Sequence, residues 1–263
     1  MKNLFLLLAS SVLLAACGSE TATSENSTET TDTLKETYVV GLDETFAPMS
    51  FRDSNGEIVG FDVDLAKEIG AIEGITFEFQ PIDWVMKETE LNAGNIDLIW
   101  NGYTITAERK EKVAFSDAYL QNSQIIVTLS ESTIAKKADL ADKVVATQQA
   151  SATLDAMNAD ETGIVAKFDG GEPILYPTFN DVFNDLESGR SDAIVVDEVL
   201  GRYIMKQKGA DKFKVLDEDF GDEEYGVGIR KEDTVLQAAI NEGLAELKEN
   251  GKYDEIYAKW FAE

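Results

Sequence analysis

The sequence predicts an α/β protein built from two related units that face one another across a cleft, and three observations carry that prediction. First, a phrase recurs. Leu91, Gly94, Asp97 and Ile99 in Leu91–Gly102 each find the same residue 95 positions later in Leu186–Asp197. Each copy reads as a helix end, a Gly suited to a left-handed cap and a buried strand. Second, short apolar strands alternate with helical segments along most of the chain, the pattern of α/β units. Third, 263 residues with 44% hydrophobic content suffice for one or two ordinary domains with a well-buried core. In open α/β sheets ligands sit beyond the carboxyl ends of the strands. Two units can therefore present their strand-end loops to a single ligand. The copies differ where they end: one runs into Asn101-Gly102, the other into Val196-Asp197.

Taken in order, Met1-Lys2-Asn3 is a short positive start and Leu4 to Leu14 an apolar run interrupted by Ser10 and Ser11. That run is too short to span a bilayer and has the length of a signal-peptide core. It ends in Leu14-Ala15-Ala16-Cys17, which resembles a bacterial lipobox. The resemblance implies removal of residues 1–16 and a lipid (palmitate) on the thiol of Cys17; the alternative is an ordinary secretory signal with an incidental Cys. Residues 17–37 then form a Ser-, Thr- and Glu-rich stretch that cannot bury enough apolar surface to order itself. It reads as a flexible tether from the anchor.

Tyr38-Val39-Val40-Gly41-Leu42 reads as a strand. Phe51-Arg52 and Ile58-Val59 flank Asp53-Ser54-Asn55-Gly56, a hairpin turning at Asn-Gly. A calcium loop beginning at Asp53 is rejected because its glycine position would fall on Ile58. Asp62 to Gly70 has acidic residues first, Leu65 and Ile69 four apart, and a Gly at its end, the signature of a helix. Ile75 to Phe79 alternates as a strand, and Trp84 to Ala93 is helical up to Gly94. In the second unit Lys143 to Thr147 is a strand, Gln148 to Thr153 a loop, Leu154 the start of a helix, and Asp197 to Leu200 the start of another. Tyr225 to Ile229 is a strand. Residues 234–260 form an amphipathic helix broken near Asn250-Gly251, with Trp260 and Phe261 packed on the first unit.

Composition excludes several functions. The formal net charge of −27 argues against nucleic acid, which needs clustered Lys and Arg. The chain has no His, which removes Ser-His and Cys-His nucleophile pairs and His-metal motifs. Cys17 is the sole Cys, so no intrachain disulfide forms. No Gly-x4-Gly-Lys-Ser/Thr loop is present, so the chain is not an ATPase. No cofactor and no metal site are expected.

Two charged residues stand out. Thr106 suits a helix N-cap, which places Glu108 and Arg109 in the first turn. A cation there is disfavoured by the helix dipole, and a bound carboxylate would explain it, since a guanidinium grips a carboxylate with two charge-assisted hydrogen bonds. The alternative, favoured by the pattern alone, is a solvated arginine within Glu108-Arg109-Lys110-Glu111-Lys112. Asp197 follows the apolar Ala193-Ile194-Val195-Val196, so its carboxylate stands at the mouth of a buried strand and must be paired or hydrated. It is either the partner of an ammonium group or a helix N-cap. Together the two would hold the opposite poles of a zwitterion.

At this point the sequence resembles a known family. Gly60-Phe61-Asp62-Val63-Asp64-Leu65-Ala66, Gly102 through Arg109, Phe115-Ser116-Asp117-Ala118-Tyr119 and Ser191 through Asp197 look like the polar amino-acid-binding proteins of ABC importers, solute-binding protein family 3, over about Tyr38 to Glu263. The resemblance implies a two-lobed type II periplasmic-binding-protein fold. Residues 38–121 and 223–263 would form lobe 1 and residues 122–222 lobe 2, with hinge crossovers near Tyr119–Ser123 and Phe220–Tyr225. It assigns the carboxylate grip to Arg109 with the backbone N–H groups of Thr104 and of Ser151-Ala152. The ammonium grip falls to Asp197, the Thr104 hydroxyl and the Gly102 carbonyl. Asp43, Phe46, Trp84, Asn101 and Gln148 would form the side-chain pocket, with Phe46 and Trp84 sandwiching the ligand and Asp43 accepting hydrogen bonds; Trp84 is alternatively plain core. Two departures appear. Ala150 stands where the family usually has Gly before a pair of hydroxyl residues, and Asn101 stands where a small residue is common.

The expected function is thus reversible capture of a free amino acid (glutamine, arginine or cystine), hinge closure and delivery to a membrane ABC permease. The protein would be a monomer, lipid-anchored on the extracytoplasmic face of a bacterial cell membrane. One rival is a dehydratase sharing the scaffold, for which Asp43 or Glu44 would be the general acid. Another is a sensor that signals to a membrane receptor.

Overall fold

The computed structural model describes residues 33–261. The leader, Cys17 and most of the tether lie outside the described residues. Along the chain come β1 (Thr37–Leu42), β2 (Thr45–Phe46), β3 (Ser50–Arg52), β4 (Ile58–Val59), α1 (Phe61–Glu73), β5 (Thr76–Pro81), a 3₁₀ turn at Trp84–Met86, α2 (Lys87–Ala93), β6 (Leu98–Ile99), α3 (Ala107–Lys110) and β7 (Ala114–Phe115). Then follow β8 (Leu120–Leu129), β9 (Val145–Gln148), α4 (Ala152–Ala159), β10 (Ile174–Tyr176), α5 (Phe179–Glu187), β11 (Ala193–Asp197), α6 (Glu198–Lys208) and β12 (Phe213–Tyr225). The chain closes with β13 (Gly228–Ile229), α7 (Thr234–Glu249) and α8 (Lys252–Phe261).

Two five-stranded sheets form the two lobes. The first runs β5-β1-β6-β13-β7 and the second β10-β9-β11-β8-β12. In each, three strands are parallel: β5-β1-β6 and β10-β9-β11. The chain crosses from the first sheet to the second between β7 and β8 and returns between β12 and β13. β8 and β12 themselves pair antiparallel, from Leu129↔Phe213 to Leu120↔Tyr225. A small antiparallel β2-β3-β4 sheet, turned at Gly56 with φ +84°, is the hairpin expected at Asn55-Gly56.

The repeated phrase is one structural device used twice. Gly94 and Gly189 both adopt left-handed backbone (φ +78° and +72°) after their helices. Leu91 and Leu186, and Ile99 and Ile194, are fully buried. The Asp97 carboxylate accepts the Val39 N–H at 2.9 Å, and the Asp192 carboxylate accepts the Val144 N–H at 2.9 Å. The two backbones also match, with Asp97 N–H to Val39 O and Asp192 N–H to Val144 O both at 2.8 Å. Each Asp thus pins the end of a helix-Gly-strand unit to the start of the adjacent parallel strand.

Several element limits differ from expectation, each for a packing reason. The first helix runs on to Glu73 and ends at Gly74 (φ +69°) rather than Gly70. Gly70 instead lets the helix pass close to the following strand, since a Cβ there would meet Ile75 O at 2.7 Å. The fourth helix begins at Ala152, because the Ser151 hydroxyl accepts the Leu154 N–H at 3.1 Å and caps it. Tyr225 closes β12 instead of opening the next strand. Order reaches back into the segment read as tether: Leu34 packs against the core and Lys35 Nζ meets Asp97 Oδ1 at 2.8 Å. The C-terminal helix returns to lobe 1, where Trp260 lies edge-on to Phe51 at 5.8 Å and Phe261 packs on Phe61 at 4.9 Å.

Candidate functional site

The loop after β6 places the first half of the site. Thr106 caps α3, its hydroxyl accepting the Arg109 N–H at 3.1 Å. The Arg109 side chain folds back, with its guanidinium carbon 4.5 Å from the Tyr103 ring centre and Nη1 donating to Thr104 O at 3.1 Å. Tyr103 is itself stacked on Phe115 at 5.1 Å. Arg109 is only 4% exposed, so the solvated alternative is excluded. It forms no ion pair among the described residues, which leaves a buried cation whose charge the protein does not neutralise directly.

The second half comes from the strand ends of the other lobe. Asp197 ends β11 and occupies the N-cap position of α6, yet its side chain makes no capping bond. Asn122 Oδ1 accepts the Val199 N–H at 3.2 Å instead. The Asp197 carboxylate is left to accept from Tyr225 Oη at 2.6 Å, Asn122 Nδ2 at 2.8 Å and Gln124 Nε2 at 3.2 Å. It is 5% exposed, and burial raises its affinity for a proton against the pull of those donors. Asp197 likewise has no ion pair among the described residues.

Nine of the eleven expected residues line one narrow cleft between the two sheets. Phe46, Trp84, Gly102, Thr104 and Arg109 come from one lobe, and Gln148, Ser151, Ala152 and Asp197 from the other. Gly102 takes φ +52°, and its N–H donates to the buried Asp62 carboxylate at 2.7 Å. Burial pushes Asp62 up to about 7. Ser151 Oγ donates to Gln148 O at 2.7 Å. Trp84 is 8% exposed and edge-on to Tyr103 at 5.9 Å, so it packs in the core while facing the cavity.

Asp43 and Asn101 stand behind the cavity wall. Asp43 Oδ1 accepts from the Thr45 N–H at 2.9 Å and the Thr45 hydroxyl at 2.6 Å, and its Oδ2 from Gln148 Nε2 at 3.0 Å. Asn101 Oδ1 accepts the Asp43 N–H at 2.6 Å and its Nδ2 donates to Ser50 Oγ at 2.6 Å. The amide is spent inside lobe 1, and Asn101 does not line the cavity as the resemblance implied. Glu44, the other acid considered for a dehydratase, pairs with Arg52 at 2.6 Å near the surface.

Sequence reasoning missed two contributors. Phe179, the first residue of α5, lines the cavity with its ring 5.8 Å from Phe46. Its only signal was Thr178, a good N-cap, and no periodicity says which way a first-turn ring faces. Glu223, on β12, accepts the Thr104 hydroxyl at 3.0 Å. It lies in the expected hinge segment, where its side chain had no assigned part.

Residues 38–263 match the family model described as bacterial extracellular solute-binding proteins, family 3. The ABC transporter glutamine-binding protein of Bacillus subtilis is 31% identical, with 100% of this chain and 98% of the relative covered. The lysine/arginine/ornithine-binding periplasmic protein of Escherichia coli K12 is 34% identical over 87% of this chain and 88% of its own. Among solved structures, an ABC uptake transporter substrate-binding protein from Streptococcus pneumoniae with bound histidine is 40% identical. It superposes with a TM-score of 0.84 over 87% of this chain and 93% of its own.

Proposed function

Because the chain belongs to the bacterial extracellular solute-binding proteins, family 3, we propose that it captures a free polar amino acid between its lobes and delivers it to an ABC permease. One observation carries this reading: a buried guanidinium, Arg109, and a buried carboxylate, Asp197, reach the same cavity from opposite lobes, and neither is ion-paired among the described residues. An α-amino acid supplies the missing charge at both poles. Arg109 takes its carboxylate with the N–H groups of Thr104 and of Ser151-Ala152 at the start of α4. Asp197, the Thr104 hydroxyl and the Gly102 carbonyl take its ammonium. The ligand's side chain lies among Phe46, Trp84 and Phe179, beside Gln148.

Separated lobes leave these groups hydrated, and closure strengthens each ion pair by lowering the local dielectric. Micromolar affinity corresponds to about −8 kcal/mol. Glutamine, arginine, cystine and, from the relatives' ligands, histidine are the candidates. Asp43 and Glu44 are both engaged within the protein, which favours binding over a dehydratase reaction. On this reading Cys17 carries the lipid that holds a monomer on the outer face of the cell membrane. Loss of palmitate labelling in Cys17→Ser tests that part.

The central test is a thermal-shift screen against the twenty amino acids plus cystine, followed by titration calorimetry. A rise in Tm with one or a few polar amino acids, abolished in Arg109→Ala, is expected. No rise with any of them overturns the reading.

A further inference from the structure

We propose that Glu223 is a second carboxyl group of the ammonium pole, that it shares one proton with Asp197 when the cavity is empty, and that capture of an amino acid exchanges that proton for the ligand's ammonium. This deepens the amino-acid reading and rests on it. The geometry is set by three neighbouring strands. On the central strand β8, Asn122 and Gln124 are two residues apart and so share a face of the sheet. Asp197 on β11 is in register with Gln124, and Glu223 on β12 is in register with Asn122. The two carboxyl groups flank the same pair of amides from either side. Asn122 Nδ2 lies 2.8 Å from Asp197 Oδ1 and 2.6 Å from Glu223 Oε1. Gln124 Nε2 lies 3.2 Å and 2.8 Å from the same two oxygens. Gln124 is held in place by the Thr153 hydroxyl, which donates to its Oε1 at 2.5 Å.

Two carboxylates brought this close and buried cannot both ionise cheaply, and one proton between them relieves the repulsion. Burial first, and the Asp197 charge second, push Glu223 up to about 8. The other titratable or charged groups facing the pair are Arg109 and Tyr225. β8 offers the neutral amides of Asn122 and Gln124, and the loop after β6 the Thr104 hydroxyl. That hydroxyl donates to Glu223 Oε1, which leaves its lone pairs for an ammonium donor. Glu223 therefore also positions the Thr104 hydroxyl from the crossover strand.

The exchange balances. The empty pole holds two carboxyl groups and one proton, a charge of −1. When the ammonium docks, its positive charge lowers the proton affinity of the pair, and the proton leaves to solvent. Two carboxylates and one ammonium again carry −1, so the buried charge is unchanged by capture.

Two measurements test this. In ligand-free protein, carbon-13 NMR of the carboxyl groups should show a group titrating near pH 8 that disappears in Glu223→Gln, while that of Asp62 remains. If no such resonance exists, the shared proton is refuted, whatever the ligand proves to be. Calorimetry in two buffers of different ionisation enthalpy, with whichever of L-glutamine, L-arginine, L-histidine or L-cystine binds, should show release of close to one proton at pH 7. Affinity should then rise up to tenfold per pH unit below about pH 8. Glu223→Gln keeps an acceptor for Thr104 and an N–H donor for Asp197, so it retains the fold; its affinity should be independent of pH and its binding release no proton. Equal proton release by both proteins, or none by the parent, overturns the proposal. If none of the twenty amino acids nor cystine binds while the carboxyl titration appears as expected, the amino-acid reading fails and the proton-sharing pair stands.

Discussion

Gln148 Nε2 donates to the Asp43 carboxylate at 3.0 Å, joining the strand end of one lobe to the first loop of the other. Lys87 Nζ makes a second such tie, to Ala150 O at 3.0 Å. Both bonds exist only while the lobes are together. Asp43→Ala removes one of them and leaves Gln148 with its remaining bond to Pro177 O. A hydrogen bond to a charged group contributes about 1.5–3 kcal/mol. Ligand affinity should fall by about tenfold or more, and small-angle scattering of the ligand-free variant should show a larger radius of gyration.

Arg109→Ala should remove detectable capture of every amino acid tested by calorimetry, because truncating one side of a buried charge pair costs about 2–5 kcal/mol. Arg109→Lys should recover little of this. An ammonium cannot reproduce the two-pronged grip, nor the guanidinium's packing 4.5 Å from the Tyr103 ring centre. Recovery by Lys to within twofold of the parent would show that charge alone suffices.

Gly102→Ala probes the close approach of backbone to the cavity, where the proposed ammonium pole lies. A Cβ there would stand 2.8 Å from Phe46 Cε1 and 3.1 Å from Tyr225 Cε2, on backbone at φ +52°. Backbone strain of this kind costs about 1–3 kcal/mol, and the displaced Phe46 ring would enter the cavity. Both Tm and ligand affinity should drop. An unchanged affinity would show that the loop relaxes away from the ligand.

Asp62 supplies a pH signature of stability. Burial raises it from 3.8 to about 7, so the folded protein holds a proton that the unfolded chain has lost between those values. Its stabilising contribution is full below about pH 4 and disappears as pH rises through about 7. Tm should fall between pH 5 and pH 8, and less steeply in Asp62→Asn, whose amide does not titrate. The contribution of Glu223 has the same sign but is common to both proteins and cancels in the comparison. Parallel slopes would show Asp62 ionised in the folded state.

Much of the fold could be read along the chain because its signals are local. Gly94 and Gly189 mark helix ends, the apolar run Ala193–Val196 marks a buried strand, and Asn55-Gly56 marks a hairpin; each depends on a few adjacent residues. Gly70 misled for the complementary reason. A glycine near a helix end looks like a cap, and only the approach of Ile75 O shows that the helix continues past it.

The sequence by itself determined the two α/β units and singled out Asp197 at the mouth of a buried strand, since helix ends and apolar runs leave marks within a dozen residues. For Arg109 the local pattern favoured a solvated side chain, and only the resemblance and then the tertiary burial of the guanidinium set it apart. Tertiary structure alone decided three things. Asn101 is spent on Asp43 and Ser50 rather than on the cavity. Phe179 completes the aromatic wall. Glu223, across the central strand from Asp197, meets it at the side-chain amides of Asn122 and Gln124. Where a polar side chain points depends on partners tens of residues away, and which partner it finds is fixed only when strands pair and lobes close.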